Sequence, residues 1–380
     1  MLRYIIGRML HVVPVLLTVS VLGFIMIELP PGDFLTSRIM ELQAHGTPAN
    51  EAEIAALRHR YGLDEPTVVR YLRWINGLLP FGFKQADDGH TVWFGFKGET
   101  IDGDGETPKR RIVWVGSQAA GLSPWFKPVD MGMSFEYNQP VSTLVGERLA
   151  LTVAVSICTI LLTWVIAIPV GIYSATRPYT LLDYVWTTLG FIGLAVPSFL
   201  LALILMFLAY TFWGEPPTGL FSAEFAVAPW SFAKLLDMLG HIWIPALIIG
   251  AAGTAGMIRV MRGCLLDELR KPYVVTARAK GLSELKLILK YPVRLAINPL
   301  ISTIGWVLPA IISGETIVAI VLDMPTCGPM LLRALRSQDM YLAGSFIMLL
   351  SVLTVIGTLV SDILLAWSDP RIRYEGRAQP

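Results

Sequence analysis

The chain has 380 residues, 54% of them hydrophobic and only 16% charged, and a mean hydropathy of +0.59. That balance excludes a protein built around a soluble core, and several apolar runs reach the roughly 20 residues that cross a bilayer. The formal net charge of +1 decides nothing, because in a membrane protein the sidedness of charge matters more than its sum.

Arg3 and Arg8 precede an apolar run from Met9 to Leu29. The run is too long for a signal peptide and no small-x-small cleavage site follows it, so it reads as an uncleaved first transmembrane helix. Five further spans follow, at about Leu149–Ser174, Tyr184–Phe212, Ile242–Met261, Ala296–Val321 and Ala343–Trp367. The expected fold is all-α, with six transmembrane helices. Pro169 and Pro197 are expected to kink their helices. Basic residues fall on one face: Arg3 and Arg8, Arg177, the run from Arg262 to Arg294, and Arg371, Arg373 and Arg377. That face is expected to be cytoplasmic, with both termini on it.

The chain thus divides into a first transmembrane helix (1–29), an external region (30–147), a five-helix core (148–368) holding a cytoplasmic loop at about 262–294, and a cytoplasmic tail (369–380). In the external region, Glu51–Tyr61 reads as a short amphipathic helix. Pro66–Leu79 reads as another, with Val68, Val69, Leu72, Ile75 and Leu79 at helical spacing. From about 81 to 128 the character changes to a small α/β-like insertion. Its β-like pieces His90–Phe96 and Arg111–Val115 flank the turn-rich IDGDGETP. No internal repeat is seen.

The loop from Asp267 to Pro299 is basic and amphipathic, and cannot lie in hydrocarbon. Pro272 is suited to start a helix and Gly281 to end it. Ala277 and Ala279 are small, Val274, Val275 and Leu282 apolar. Ser283 is placed to cap a second helix carrying Leu285, Ile288 and Leu289 on one face. Spacing alone leaves two readings open: a helix against which a soluble partner docks, and an amphipathic helix resting on the lipid surface.

Chemical motifs are absent. There is no G-x-x-x-x-G-K-S/T, so no phosphate-cradling loop, and no H-E-x-x-H, C-x-x-C or G-x-S-x-G. Cys158 reads as buried filler and Cys327 as a free outer thiol, and with Cys264 they form no disulfide framework. The run from Gly250 to Gly256 gives the fourth span a small-residue face suited to close helix packing.

TARAKGLSE, with Arg294, Asn298 and Pro299 downstream, resembles the coupling-loop signature of binding-protein-dependent ABC importer permeases, in particular the oligopeptide/dipeptide/nickel family. Where the broad motif has Glu-Ala-Ala, three residues and Gly, this chain has Val275, Thr276, Ala277 and Gly281; the last Ala and the Gly match. RYGLDEPTVVRYLRWINGLL, MGMSFEYNQPVSTLVGERLALTVAVS and SDILLAWSDPRIRYEGR are also similar to that branch. The insertion at 81–128 is not part of the pattern.

The resemblance implies the type I ABC importer permease fold and ATP-driven alternating access for peptides or related solutes, nickel, glutathione and oligosaccharides being the alternatives. It implies ATPase docking at Pro272, Thr276, Ala277, Ala279, Gly281 and Leu282. It sets the outer loop at Pro325 and Gly328 near the binding protein. It puts Ser313 and Glu315 beside the translocation path, where Glu315 either lines the path or contacts a partner subunit. The implied partners are a second homologous permease, two ABC ATPases carrying ATP and magnesium, an extracytoplasmic solute-binding protein and membrane lipid. Nucleic acid is not among them, and neither a cofactor nor a metal belongs to this chain. The rivals are a self-contained secondary transporter or channel, which would call for paired intramembrane charges or repeated broken helices, and a membrane-embedded enzyme.

Overall fold

Each apolar run of the sequence is met by helix wherever the computed structural model describes it, which is at residues 2–29, 34–35, 63, 66–79, 92–93, 96–101, 109–114, 129–214, 218–304 and 316–368. Helix α1 covers Leu2–Glu28 and α2 Thr67–Leu78. The strands β1 (Val92–Trp93), β2 (Phe96–Ile101) and β3 (Lys109–Trp114) form an antiparallel sheet in sequence order. Then come α3 (Val141–Thr176), α4 (Leu181–Ala195), α5 (Ser198–Trp213), α6 (Ala223–Ala226) and α7 (Phe232–Leu269). The short α8 (Pro272–Ala279), α9 (Glu284–Lys290) and α10 (Pro292–Ala296) follow, and α11 (Thr316–Val321), α12 (Cys327–Arg336) and α13 (Met340–Ser368) close the chain. Ser313, Glu315 and the expected helix Glu51–Tyr61 lie outside the described residues.

Among the described residues, α3, α7 and α13 are long and apolar enough to cross a membrane, and α4 and α5 reach that length only together, with a bend of 107° between them. The expected single helix Tyr184–Phe212 is therefore two. Pro197 sits at the N-cap of α5; it has no N–H to give and holds Val196 extended, so the helix stops before it. Pro169 lies within an unbroken α3. The 38 residues of α7 make it roughly 57 Å long, well beyond the expected span Ile242–Met261.

The chain divides into two compact units. The larger holds residues 1–17, 145–333 and 346–380. One of its cores gathers Val155 of α3, Ala202 of α5, Ile248 of α7 and Leu322 after α11. A second joins Ala175, Met261, Leu265, Val293 and Leu300 at the far end of α7. Gly250 meets Thr163 and Thr159 of α3, as a packing face requires, whereas Gly253 and Gly256 face open space in this chain. The exposed residues of α4 and α5 are large and apolar, such as Leu181, Phe207 and Phe212, as lipid-facing helices require.

The smaller unit holds residues 18–144 and 334–345. Here α2 packs Tyr71 and Trp74 on Phe24, and Ser20 bonds the Tyr71 hydroxyl at 2.8 Å. The aliphatic residues at helical spacing face mostly outward: Val68, Val69, Leu72 and Leu79 are exposed and Ile75 is half-buried. The aromatic side of α2 offers more contact area and takes the inward position. The expected β-like pieces are present but differ in detail, with β2 and β3 pairing from Phe96↔Trp114 to Ile101↔Lys109.

Candidate partner-docking site

The charged loop folds into two short helices joined by a tight turn. Lys271, preceding a proline, is extended at ψ 148, and Pro272 takes the first turn of α8, as its missing N–H allows. The helix ends at Gly281, whose φ is +77. Its N–H donates to the Arg278 carbonyl at 3.0 Å. A left-handed residue past the helix end is a place for glycine, since a Cβ there costs about 1 kcal/mol or more. Ser283 stands at the N-cap of α9, but its side chain makes no capping bond. The turn is held instead by Arg278, whose Nε and Nη2 both donate to the Glu284 carboxylate.

The other end of α8 is fixed by Glu268, in the last turn of α7. It accepts from Lys271 Nζ at 2.8 Å and from the Tyr273 hydroxyl at 2.6 Å. Burial, and then the bond to Glu268, push the Tyr273 phenol above its ordinary pKa, so it stays a donor. The hydrogen bond with Glu284 raises Arg278, and the same bond holds the Glu284 carboxyl below the usual carboxylate range. Both groups are fully exposed, so the pair orients the turn more than it stabilises it.

The two helices pack Val274, Ala277 and Leu287 together, with Tyr273, Leu282, Ile288 and Tyr291 around them. Of the residues expected to meet a partner, Pro272, Thr276, Ala279 and Gly281 are exposed, Leu282 is half-buried and Ala277 is buried. Ala277 therefore shapes the surface from beneath. The outer face carries Val275, Leu285 and Leu289, at 58%, 71% and 52% exposure. The expected face Leu285, Ile288, Leu289 of α9 is turned, because Leu287 is the residue that reaches Val274.

At the other expected site, Pro325 is half-buried and Gly328 buried. A Cβ on Gly328 would lie 2.6 Å from Thr316 Oγ1, so this glycine is needed for close approach. Cys327 is buried, and its N–H donates to Thr152 Oγ1 at 2.8 Å. The expected outer thiol is thus shielded. His241 bonds the Asp237 carbonyl of its own helix at 2.8 Å.

Two polar centres escape sequence reasoning. Asp183, 3% exposed, accepts from Arg262 Nη2 and from the Tyr179 N–H, both at 3.0 Å. The signal was Thr180-x-x-Asp183, a capping pattern, and Thr180 does cap α4. The second is Asp339, fully buried in the smaller unit; its signal was an acidic residue just before an apolar run.

Comparison with known proteins agrees with this architecture. Residues 167–374 match the family described as "Binding-protein-dependent transport system inner membrane component", and residues 1–96 match the corresponding N-terminal family. An oligopeptide transport system permease, AppB of Bacillus subtilis, is 30% identical over 377 residues, covering 98% of this chain and 100% of the relative. A putative peptide permease of Brucella suis is 27% identical, covering 98% and 99%. The glutathione transport system permease GsiC of Salmonella paratyphi A is also 27% identical, covering 99% and 100%. The inward-facing MetNI methionine ABC transporter covers 62% of this chain and 100% of its own, with a TM-score of 0.45 and 15% identity. Long apolar helices together with a structured charged loop define a polytopic membrane protein. The chain belongs to the binding-protein-dependent transport system inner membrane components. It is the membrane permease subunit of an ABC importer, and ATP hydrolysis is the work of a separate subunit.

Proposed function

We propose that this permease forms half of a translocation path for peptides or closely related solutes, and that α8 is the helix on which an ABC ATPase docks. The observation that carries the reading is the outer face of α8 and α9. Val275, Leu285 and Leu289 are exposed apolar residues on a loop otherwise lined by charge, beside small exposed Ala279. An apolar centre with a polar rim is the chemistry of a protein contact. The peptide assignment leans on the relatives, whose names are peptide and glutathione permeases.

The assembly is a pair of homologous permeases, two ATPases holding ATP and magnesium, and an external solute-binding protein. ATPase closure moves α8, and the spans on either side follow in alternating access. Arg177 on the loop after α3 and the concentration of Arg and Lys after α7 support a cytoplasmic position for these loops and for both termini. Co-purification of the ATPases with the Val275→Asp variant tests the reading. A charge at the centre of the face is expected to abolish it, and undiminished co-purification overturns the docking assignment.

A further inference from the structure

We propose that Asp183 and Arg262 form the joint through which movement of α8 reaches the bent pair α4–α5, which makes them positioning residues for transport. The inference rests on α8 being the ATPase-docking helix.

One guanidinium ties three helices at this point. Arg262 belongs to α7; its Nη2 lies 3.0 Å from Asp183 Oδ2 at the start of α4, and its Nε donates to the Ser174 carbonyl near the end of α3 at 3.4 Å. Further along the same α7, Glu268 grips Lys271 and Tyr273 at the start of α8. Helix α7 is continuous from Phe232 to Leu269, so the two grips belong to one stiff element. A displacement of α8 is therefore delivered to Arg262.

Further along, Arg259 of α7 lies over the Phe191 ring of α4 at 5.1 Å, and around this contact small residues face one another. A Cβ on Gly190 would meet the Ala255 Cβ at 3.6 Å, and one on Gly193 the Ala251 carbonyl at 3.4 Å. Small residues facing small residues offer no ridge to resist sliding. The polar joint is then the hydrogen-bonded tie between the start of α4 and α7. At the other end of α4 lies the 107° bend, where an applied displacement becomes rotation of α5.

The joint has room for two arrangements. Asp183 Oδ2 takes both of its hydrogen bonds, while Oδ1 is buried and, among the described residues, has no hydrogen-bond partner. A guanidinium is built to hold both oxygens of a carboxylate. A small slide of α7 would turn the present single contact into that fork. Coupling between distant parts needs such an element with two discrete states.

The test uses the complete reconstituted transporter with its ATPases, and reads ATP hydrolysis with and without the binding protein. Asp183→Asn and Arg262→Gln should each lower the binding-protein stimulation by about fivefold or more, with ATPase co-purification unchanged. The double variant should be no worse than either single one, because the two act through one contact. Unchanged stimulation, or losses that multiply in the double variant, overturns the joint. If Asp183→Asn does not assemble, Arg262→Lys decides. It keeps the charge but not the fork, so intermediate stimulation is expected and full stimulation overturns the proposal. Failure of the docking reading is distinguishable, because it is registered by co-purification with the Val275→Asp variant alone.

Discussion

Asp339 and Ser134 stand 205 residues apart in the chain and 2.6 Å apart in space, joined by a hydrogen bond from the serine hydroxyl to the carboxylate. The same carboxylate accepts from the N–H groups of Phe135 and Glu136 at 2.8 and 3.2 Å, and from Leu342 at 3.1 Å. It thereby caps α13 and anchors the turn Ser134–Tyr137. Asp339→Ala strands several buried donors at once and should cost about 3 kcal/mol. Ser134→Ala removes one donor and should cost about 1 kcal/mol. Thermal melting of the purified protein and protease cleavage near Asn138 measure both; equal stability of parent and Asp339→Ala refutes the anchor.

Burial pushes the Asp339 carboxyl up, against the pull of its hydrogen bonds. A carboxyl raised on folding is destabilising when ionised, and that penalty is relieved as pH falls through the raised pKa toward the ordinary carboxylate value. The parent should therefore gain stability relative to Asp339→Asn on mild acidification. Melting curves of the pair across that range check the sign, and a gap that widens against the parent contradicts it.

At Gly281 two substitutions separate backbone strain from partner contact. A Cβ there meets nothing within 4 Å, and the position is exposed, so a side chain can point to solvent. Alanine and tryptophan share the same strain of about 1 kcal/mol from positive φ. If an ATPase surface comes close, Gly281→Trp should lose co-purification and Gly281→Ala should retain most of it. Equal behaviour of the two assigns the glycine to backbone geometry alone.

Ala277 and Val275 should fail in opposite ways. Ala277 is packed beside Val274 and Leu287, so Ala277→Leu overfills the helix pair, at about 1–3 kcal/mol. Val275 is 58% exposed, and Val275→Asp should leave melting unchanged while ATPase binding is lost. A destabilised Val275→Asp would mean that this face is packed within the chain.

Hydropathy and the two punctuating residues were legible in advance: the long spans, Pro272 at a helix start and Gly281 at its end. Which side of α8 faces inward was not. A helix of eight residues has no decisive periodicity, and its inward side is chosen by Leu287 and Tyr291 of the next turns. Pro197 marked a break, but the bend of 107° depends on packing against α7. The same holds for α2, where Tyr71 and Trp74 outcompete the aliphatic stripe for Phe24. Asp339 could be read from sequence only as an acidic residue before an apolar run; its bonds to Ser134, Phe135 and Glu136 span 203 to 205 residues, and no local pattern pairs them.

Orientation is open to chemical labelling. Gln139 and Lys280 are both exposed, and the topology proposed from the basic residues puts them on opposite sides of the membrane. A cysteine at Gln139 should react with an impermeant maleimide in intact cells, and one at Lys280 only after permeabilisation. Outside labelling at position 280 reverses the topology and removes α8 from the cytoplasm.

The insertion at 81–128 supplies the last test. Its described part is a sheet of three antiparallel strands in sequence order, and the proposed topology puts it on the side where a binding protein docks. A sheet made of neighbouring antiparallel strands closes its hydrogen bonds within itself, and a shorter connection costs little entropy. Replacing residues 83–127 by a short Gly/Ser linker should thus leave ATPase co-purification intact. If the insertion meets the binding protein, the deletion should raise the concentration needed for half-maximal ATPase stimulation by about tenfold or more. An unchanged stimulation curve would exclude the insertion from docking.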